Sequence, residues 1–264
     1  MTATSPVAAL ARRILIVNDD GIQSRGLSIL ERAAQNLGGE VWVVAPDEER
    51  SGASQSISLS LPLRAREIGP RRFAIKGTPA DCVMFGVATL LRDNPPTLVL
   101  SGVNHGENLA DDLAYSGTSG AAMEAAQFGI PAIAFSQVRK LGQMPNFDAC
   151  ERHLDRVLSR LVDFDWVDGL AFNVNFPAVV GGEVSGIQVV PTGRRPRRPF
   201  FPVEALDGRN IPHYWVKVDY AHELPAAPNT DLAAIREGAI SVTALRRDPT
   251  DHVVQQRLER VFAV

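Results

Sequence analysis

Short apolar runs alternate with helix-like segments along most of this chain, and this alternation restricts its fold more than any other feature. Residues 14–17, 41–45 and 97–100 form strand-like runs, and 14–17 is continuously apolar, as expected for a strand that is covered on both faces. Segments with helical spacing separate the runs up to about residue 190. Strands that alternate with helices predict an α/β fold, in which helices cover both faces of a mostly parallel sheet.

The same patterns predict individual elements. Thr78 followed by Pro79 is typical of a helix start, and this helix is expected to end near Leu91. Strict alternation of apolar residues in 57–63 predicts a half-exposed strand that forms a hairpin with residues 72–75. After about residue 191 the chain is expected to leave the main sheet and to return later. Further predicted helices are 119–128, 150–161 and 231–236, and further strands are 132–135, 170–176 and 240–243.

Oxygen-bearing side chains follow three of the predicted strands. Asp19 and Asp20 follow the first, Ser51 lies beyond the second, and Asn104 follows the third. Ligands of open α/β sheets collect at the carboxyl ends of the strands, and carboxylate, hydroxyl and amide oxygens suit a hard divalent cation. Taken alone, the two aspartates fit a capped turn as well as a metal site, and the other two segments fit polar turns. Their convergence on one sheet edge favours the metal site.

A second polar segment leads directly into the predicted Ala-rich helix. Ser116, Gly117 and Thr118 lie at the start of this helix, where free backbone N–H groups and hydroxyls can bind an anion. An ordinary Ser/Thr helix cap is the simpler interpretation of the same residues. A metal site beside an anion site would suit the cleavage of phosphate esters.

Composition limits the class of protein and its partners. The chain has 264 residues and a net charge of −3, which predicts one large domain with no general preference for nucleic acid or an anionic membrane. Only two cysteines occur, Cys82 and Cys150, and we expect both to be reduced and buried in a cytoplasmic protein. Residues 1–12 are expected to form a disordered tail, and no apolar run is long enough to span a bilayer.

Several motifs, in order along the chain, resemble the SurE family. They are residues 18–21, 43–47 with 50–54, 77–83, 101–108, 115–118, 129–136, 173–177 and 230–243, and the resemblance covers about residues 13–247. SurE proteins are metal-dependent phosphatases of nucleoside monophosphates, mainly 5′-nucleotidases, and some also act on 3′-nucleotides or short polyphosphate. The resemblance departs at residues 23–26, which flank the predicted site and leave the preferred substrate open.

The resemblance implies specific roles. It implies one divalent cation per subunit, Mg²⁺ or Mn²⁺, and phosphate contact through Asn108 in addition to the start of the Ala-rich helix. It implies a Rossmann-like, three-layer domain over residues 13–264, in which about 191–264 include an arm exchanged between subunits of a homodimer or homotetramer. The metal ligands that it implies are Asp19, Asp20, Ser51 and Asn104, and the phosphate contacts are Asn108, Ser116, Gly117 and Thr118.

Two other enzyme classes and a non-catalytic module are the alternative functions. A serine hydrolase would need a Gly-x-Ser-x-Gly turn and a dinucleotide-binding oxidoreductase a Gly-x-Gly-x-x-Gly turn, and neither follows a predicted strand. A nucleotide-binding module without catalytic activity stays open. His105 is a candidate general acid that the resemblance does not require. The arginines between prolines, Arg194, Arg195, Arg197 and Arg198, are interpreted first as a solvated loop or subunit contact and second as a phosphate-binding segment.

Overall fold

The fold was obtained as a computed structural model that describes residues 10–139, 146–195, 200–218 and 226–263. The strands are β1 Arg13–Val17, β2 Glu40–Pro46, β3 Arg64–Gly69, β4 Arg72–Lys76, β5 Leu98–His105, β6 Ala132–Gln137, β7 Leu170–Phe176, β8 Ile187–Val189, β9 Phe200–Leu206, β10 Pro212–Val218 and β11 Ile240–Arg246. The α-helices are α1 Arg25–Asn36, α2 Pro79–Phe85, α3 Gly117–Gln127, α4 Asp148–Val162, α5 Asp231–Arg236 and α6 His252–Phe262.

A nine-stranded sheet forms the middle layer, in the order β3-β4-β2-β1-β5-β6-β7-β11-β8. The central strand pairs are parallel, while β3 and β11 run antiparallel to β4 and β7. Helices α1 and α4 pack on one face of the sheet, and α2 and α3 pack on the other. The prediction of a three-layer α/β fold is confirmed.

The order of the strands places a crevice at the centre of the sheet. Strand β1 lies between β2, which follows it in the chain, and β5, which comes much later. The chain therefore winds outward in both directions from the β1–β5 pair. In doubly wound sheets, ligands bind at the carboxyl ends of the strands beside this reversal of order.

Helix caps determine where the helices near this crevice begin. Thr78 caps α2: its hydroxyl accepts the Asp81 N–H, while the Asp81 carboxylate accepts the Thr78 N–H. Ser116 caps α3 by accepting the Ser119 N–H at 3.0 Å. The predicted start of α2 is confirmed, although the regular helix ends at Phe85 and continues as a π-helical turn over Gly86–Leu90.

The predicted strand over residues 57–63 is wrong. Strand β3 begins at Arg64 and pairs with β4, whereas residues 56–63 run as irregular chain past the start of α2. The Ser58 backbone and hydroxyl both donate to Asp81, and Leu59 and Leu61 are 86% and 75% exposed. The alternating pattern does not form a strand here because the segment has no sheet edge to pair with and bonds to a helix cap instead.

The C-terminal part leaves the main sheet and returns, as predicted. Strands β9 and β10 form a separate two-stranded sheet, and β11 then pairs with β7 inside the main sheet. Helix α6, in which no residue is buried, was not expected from the sequence. Of the predicted N-terminal tail, residues 1–9 lie outside the described part of the chain, whereas Ala11 is buried.

Both cysteines are free and buried, Cys82 in α2 and Cys150 in α4, as predicted. Burial raises the pKa of each thiol well above its ordinary value. Across the described ranges, no helix combines the length and the apolar character that crossing a bilayer requires.

Candidate functional site

The turn after β1 is held in place by its own side chains. Asn18 donates from Nδ2 to the Gly21 carbonyl oxygen at 2.9 Å and to the Ser24 hydroxyl at 2.8 Å. Gly21 has a φ of +93°, which residues other than glycine rarely adopt. The turn therefore has one defined shape, and it presents the carboxylates of Asp19 and Asp20 at the end of the strand.

Thr118 fixes the Asp19 carboxylate. Its hydroxyl donates to Oδ1 at 2.6 Å, and its backbone N–H donates to Oδ2 at 3.2 Å. Gly117 allows this close approach, because a Cβ atom there would lie 2.9 Å from the Asp19 Cβ. The start of α3 thus supports a carboxylate directly, and neither Gly117 nor Thr118 lines the pocket described below.

Asp20 lies beside Asp19 and is held from the other side of the crevice. The backbone N–H of His105, at the end of β5, donates to Asp20 Oδ2 at 3.0 Å. Burial, followed by repulsion from Asp19, raises the pKa of Asp20 to about 7. Burial also raises the pKa of Asp19. Two buried carboxylates that repel each other form an environment that a cation would stabilise.

The loops after β2 and β5 bring Ser51 and Asn104 to the same place. The Ser51 hydroxyl donates to Glu49 at 2.7 Å, and its loop is tied down where Ser54 N–H donates to the Tyr115 carbonyl oxygen at 3.0 Å. Asn104 donates from Nδ2 to the Gly106 carbonyl oxygen at 3.0 Å. The amide nitrogen of Asn104 is thereby engaged, so that its carbonyl oxygen is the atom suited to a cation.

These residues line one pocket of about 420 Å³, a size typical of small-molecule sites. The pocket contains all four predicted metal ligands and two of the predicted phosphate contacts. The lining residues are Asp19, Asp20, Glu49, Ser51, Gly52, Asn104, His105, Gly106, Glu107, Asn108, Asp112, Tyr115, Ser116, Arg139 and Phe200.

Asn108 and Ser116 both retain hydrogen-bond donors. Asn108 donates one amide hydrogen to Ser136, while its backbone is bonded to the Asn173 and Asn175 side chains. Among the described residues, its second amide hydrogen has no acceptor, so that it can donate to a ligand. Ser116 uses its oxygen to cap α3, which leaves its hydroxyl hydrogen to donate. Two rigidly held donors beside a pair of carboxylates that could hold a cation suit the binding of a phosphate group.

His105 lies in the same pocket. In the described part of the chain, its Nε2 is buried without a hydrogen-bond partner, as is Oε2 of Glu107. Burial, and next the charge of Arg139, lowers the pKa of His105, so the ring is neutral at neutral pH. A bound molecule or water would satisfy these atoms.

Several pocket residues were not identified from sequence. Arg139 follows β6 by two positions, so the rule that found the other strand ends could have found it. It is the one lysine or arginine among the described residues that line the pocket, and so provides positive charge for an anionic ligand. Nothing in the sequence pointed to Phe200, because it belongs to the separate sheet. Glu49, Glu107 and Asp112 were also missed.

The arginine segment is not simply a solvated loop. Arg195 is buried and forms a two-pronged ion pair with Asp112, at 2.6 Å from Nη2 to Oδ2 and 3.2 Å from Nε to Oδ1. Its neighbour Arg194 is exposed. Asp112 lines the pocket, so that Arg195 connects the beginning of the C-terminal part to the site. Arg197 and Arg198 lie outside the described residues.

The donor set fits a hard divalent cation. Within the described ranges, no three His, Cys, Asp or Glu side chains form a group that could hold a metal. The pocket instead offers two carboxylates with a hydroxyl and a carboxamide. Few protein ligands and several waters are typical of Mg²⁺ at phosphate-processing sites, where it is bound by one or two carboxylates.

Known proteins resemble this chain over most of its length. The family model "Survival protein SurE" matches residues 14–198. The curated 5′-nucleotidase SurE of Parvibaculum lavamentivorans is 44% identical over 240 residues, which are 90% of this chain and 86% of that protein. The 5′-nucleotidase SurE of Rhizorhabdus wittichii is 45% identical over 243 residues, 91% of this chain and 95% of that protein.

A solved structure agrees with these sequence matches. The crystal structure of the SurE protein from Aquifex aeolicus superimposes with a TM-score of 0.79 at 35% identity, and the match covers 95% of this chain and 100% of that one. The match of the family model over most of the chain, the identity to curated relatives and the shared fold lead to one conclusion. This chain belongs to the SurE family.

Proposed function

We propose that this protein is a divalent-metal-dependent 5′-nucleotidase, which hydrolyses nucleoside 5′-monophosphates to a nucleoside and phosphate. Curated relatives that are 44% and 45% identical to this chain carry the name 5′-nucleotidase SurE. The observation that carries the proposal is the pair Asp19 and Asp20 in one pocket with the free donors of Ser116 and Asn108. This arrangement suits a phosphate monoester that shares a cation with the two carboxylates.

One cation per subunit, Mg²⁺ or Mn²⁺, is proposed to bind to Asp19, Asp20, Ser51 and Asn104. When bound, it supplies Lewis-acid polarisation of the phosphoryl group and activation of a water molecule. Thr118 holds the Asp19 carboxylate in position, and Gly117 leaves room for it. We therefore assign these two residues to positioning Asp19 instead of to direct phosphate contact.

The remaining pocket groups are proposed to bind and orient the phosphate. Asn108 and Ser116 donate hydrogen bonds to its oxygens, and Arg139 offsets its negative charge. In the reaction, the oxygen of a water forms a bond to phosphorus while the bond from phosphorus to the nucleoside O5′ breaks. The attacking water loses one proton, and the departing oxygen takes up one proton to become the nucleoside hydroxyl, so that the step balances. In-line attack requires the phosphate to be held rigidly, which two fixed donors achieve.

A phosphate-release assay on the purified protein tests this function. We expect release from 5′-AMP and 5′-GMP with added Mn²⁺ or Mg²⁺, and loss of release in EDTA. Asp20→Asn should lower kcat/KM on the order of 100-fold, since one of the two proposed carboxylate ligands of the cation is lost. The panel includes 3′-AMP and tripolyphosphate, because a broader phosphatase would hydrolyse these at similar rates.

Asp47→Asn is the matched control, since Asp47 also follows β2 but is exposed and lies outside the pocket. It should retain wild-type activity. Full activity in EDTA, or in Asp20→Asn, would contradict the metal-dependent mechanism. Binding of 5′-AMP without phosphate release under every metal condition would instead support a nucleotide-binding module.

We also propose that residues 13–264 form one domain whose C-terminal part, about 191–264, includes an arm exchanged between subunits of a homodimer or homotetramer. The exposed apolar surface of β10 supports this proposal: Tyr214 and Trp215 are each 62% exposed in the single chain. A cytoplasmic location is proposed from the two free, buried cysteines.

A further inference from the structure

We propose that Tyr115 and Phe200, called here the aromatic corner, form the surface that binds the nucleobase of the substrate. The inference rests on the proposed nucleotidase function and extends it to the part of the substrate that does not react. The corner joins two distant parts of the chain, because Tyr115 lies two residues before the start of α3 and Phe200 begins β9.

The two rings meet edge to face. Their centroids are 4.9 Å apart and their planes form an angle of 62°. Because the rings are in contact, a flat ligand cannot lie between them. It would lie on the outward face of one ring and meet the edge of the other, a geometry that aromatic groups favour. Tyr115 is 40% exposed, so that part of its ring is available to a ligand.

Their place in the pocket assigns them to the nucleobase. Both residues line the pocket, and among its described lining residues only these two carry a phenyl or phenol ring. Tyr115 is also next to Ser116, the proposed phosphate donor. A nucleotide has an anionic end and a flat aromatic end, and the pocket offers polar groups for the first and the aromatic corner for the second.

The backbone holds Tyr115 in position. Its N–H donates to the Asp112 carbonyl oxygen at 2.9 Å, and its own carbonyl oxygen accepts the Ser54 N–H at 3.0 Å. Phe200 is placed by the pairing of β9 with β10, where it lies opposite Val218. The nucleobase surface therefore forms only when the start of β9 lies beside the pocket.

Stacking tolerates different bases, because each base has a π face. The aromatic corner therefore predicts that the nucleoside binds with little preference among adenine, guanine and the pyrimidines. Discrimination would require hydrogen bonds to the base edge, and these would have to come from other residues.

A purely structural role for Phe200 makes a different prediction. If Phe200 only held β9 in place, its loss would lower the hydrolysis of every phosphate ester alike and would lower the thermal stability of the protein. If it binds the base, its loss affects substrates that carry a base and spares those that lack one.

The test compares the Phe200→Ala and Tyr115→Ala variants with the wild type in the presence of Mn²⁺. The kinetic constants are measured for 5′-AMP and for ribose 5-phosphate, the latter as substrate or competitive inhibitor. We expect the preference for 5′-AMP over ribose 5-phosphate to fall about tenfold in each variant, mainly through KM, as expected for the loss of one stacking partner. Phe200→Tyr, which keeps an aromatic ring at this position, should retain the preference for 5′-AMP over ribose 5-phosphate. Phe201→Ala is the matched control, because the adjacent strand residue points to the opposite face.

A measurement of binding separates this inference from the proposed function. Saturation-transfer NMR with adenosine in EDTA involves neither phosphate nor turnover. We expect the wild type to transfer saturation to the H2 and H8 protons of adenosine. We expect both alanine variants to lose this transfer. An equal fall for 5′-AMP and ribose 5-phosphate, an unchanged preference, or adenosine saturation that persists in the variants would overturn the inference. If the wild type released no phosphate from 5′-AMP, the proposed function would fail, and the adenosine experiment alone would decide the aromatic corner.

Discussion

At the scale of single residues, the site depends on two carboxylates that lie closer together than their charges favour. Asp19 is held by Thr118, and Asp20 by the backbone of His105. These hydrogen bonds keep both groups at the crevice although burial disfavours their charge. The geometry is therefore prepared before a cation binds, at a cost in the stability of the metal-free protein.

This cost predicts a pH-dependent gain in stability for Asp20→Asn. The pKa of Asp20 is raised from 3.8 to about 7, so the folded metal-free chain binds this proton more tightly than the unfolded chain. The stabilisation from this proton is complete below pH 3.8 and is lost as the pH rises through about 7. Asparagine has no such loss, and its side-chain oxygen can still accept the His105 N–H.

Differential scanning calorimetry in EDTA tests this at pH 5 and pH 8. We expect Asp20→Asn to melt above the wild type at pH 8, by about 5 °C, with a smaller difference at pH 5. Asp47→Asn, at an exposed site, should show no such pH-dependent difference. A wild type that melts above Asp20→Asn at pH 8 would show that the two carboxylates do not repel each other as inferred.

Gly117 supplies a second prediction at this scale. A Cβ atom there would lie 2.9 Å from the Asp19 Cβ and 3.0 Å from the Asp19 Oδ2, so Gly117→Ala should displace the carboxylate. We expect kcat with 5′-AMP to fall about 100-fold, as misplacement of a catalytic group by about 1 Å can cause. Steady-state kinetics is the measurement, and Gly208→Ala, whose Cβ would have no neighbour within 4 Å, should retain full activity.

At the scale of elements, one short segment connects the site to the C-terminal part. The 3-10 helix Ala110–Ala114 carries Asp112, which is paired with Arg195. The backbone of the same helix donates from Ala110 to Asp231 of α5 at 2.8 Å. Asp231 also accepts the Gly193 N–H at 2.7 Å. The segment that ends in Tyr115 and Ser116 therefore depends on contacts with residues beyond 190.

Breaking the buried ion pair should weaken both stability and activity. The side chains of Arg195 and Asp112 are 4% and 6% exposed, so Arg195→Met leaves a buried charge unpaired. We expect a loss of about 3–5 kcal/mol in the free energy of unfolding, with a higher KM for 5′-AMP because Tyr115 and Ser116 shift.

A double-mutant cycle with Asp112→Asn, followed by urea denaturation, measures the coupling of the pair. We expect the double variant to be more stable than the sum of the two single losses predicts. Arg194→Met is the control at the exposed neighbouring position and should be close to the wild type. Strictly additive losses would mean that the pair contributes nothing as a pair.

At the scale of the whole molecule, the single chain leaves apolar surface uncovered. Helix α6 buries none of its residues, although Val254, Leu258 and Val261 recur along one of its faces. An isolated helix of this length is marginal in water, so we expect it to pack against another subunit. This apolar face supports the proposed exchange of the arm.

Light scattering on the eluting protein tests the assembly. We expect a mass of two or four times 28.6 kDa, and a lower mass for the variant that carries both Leu258→Glu and Val261→Glu. Gln256→Glu, on another face of the same helix, adds a charge without touching the apolar stripe and should leave the mass unchanged. A wild type that elutes as a monomer at micromolar concentration would refute the proposed oligomer.

How far the sequence predicts this molecule varies with the distance between contacting residues. Local patterns predict the strands of the main sheet and the caps of α2 and α3. They also place four side chains at strand ends, those of Asp19, Asp20, Ser51 and Asn104. These depend on neighbours in the chain and on the rule that parallel strands end at one edge. The prediction of a strand over 57–63 was wrong because the alternating segment pairs with no strand of the sheet.

The sequence by itself determined the three-layer α/β fold, the sheet edge where the candidate site lies and the oxygen-bearing side chains that gather there, because periodicity and capping act over a few residues. Only the tertiary structure decided that Thr118 supports Asp19, that Arg195 is buried against Asp112 and that Phe200 reaches the pocket. Each of these contacts joins residues more than 80 positions apart, and such pairs meet only when whole elements pack. No local pattern encodes which of the possible distant partners a side chain will contact.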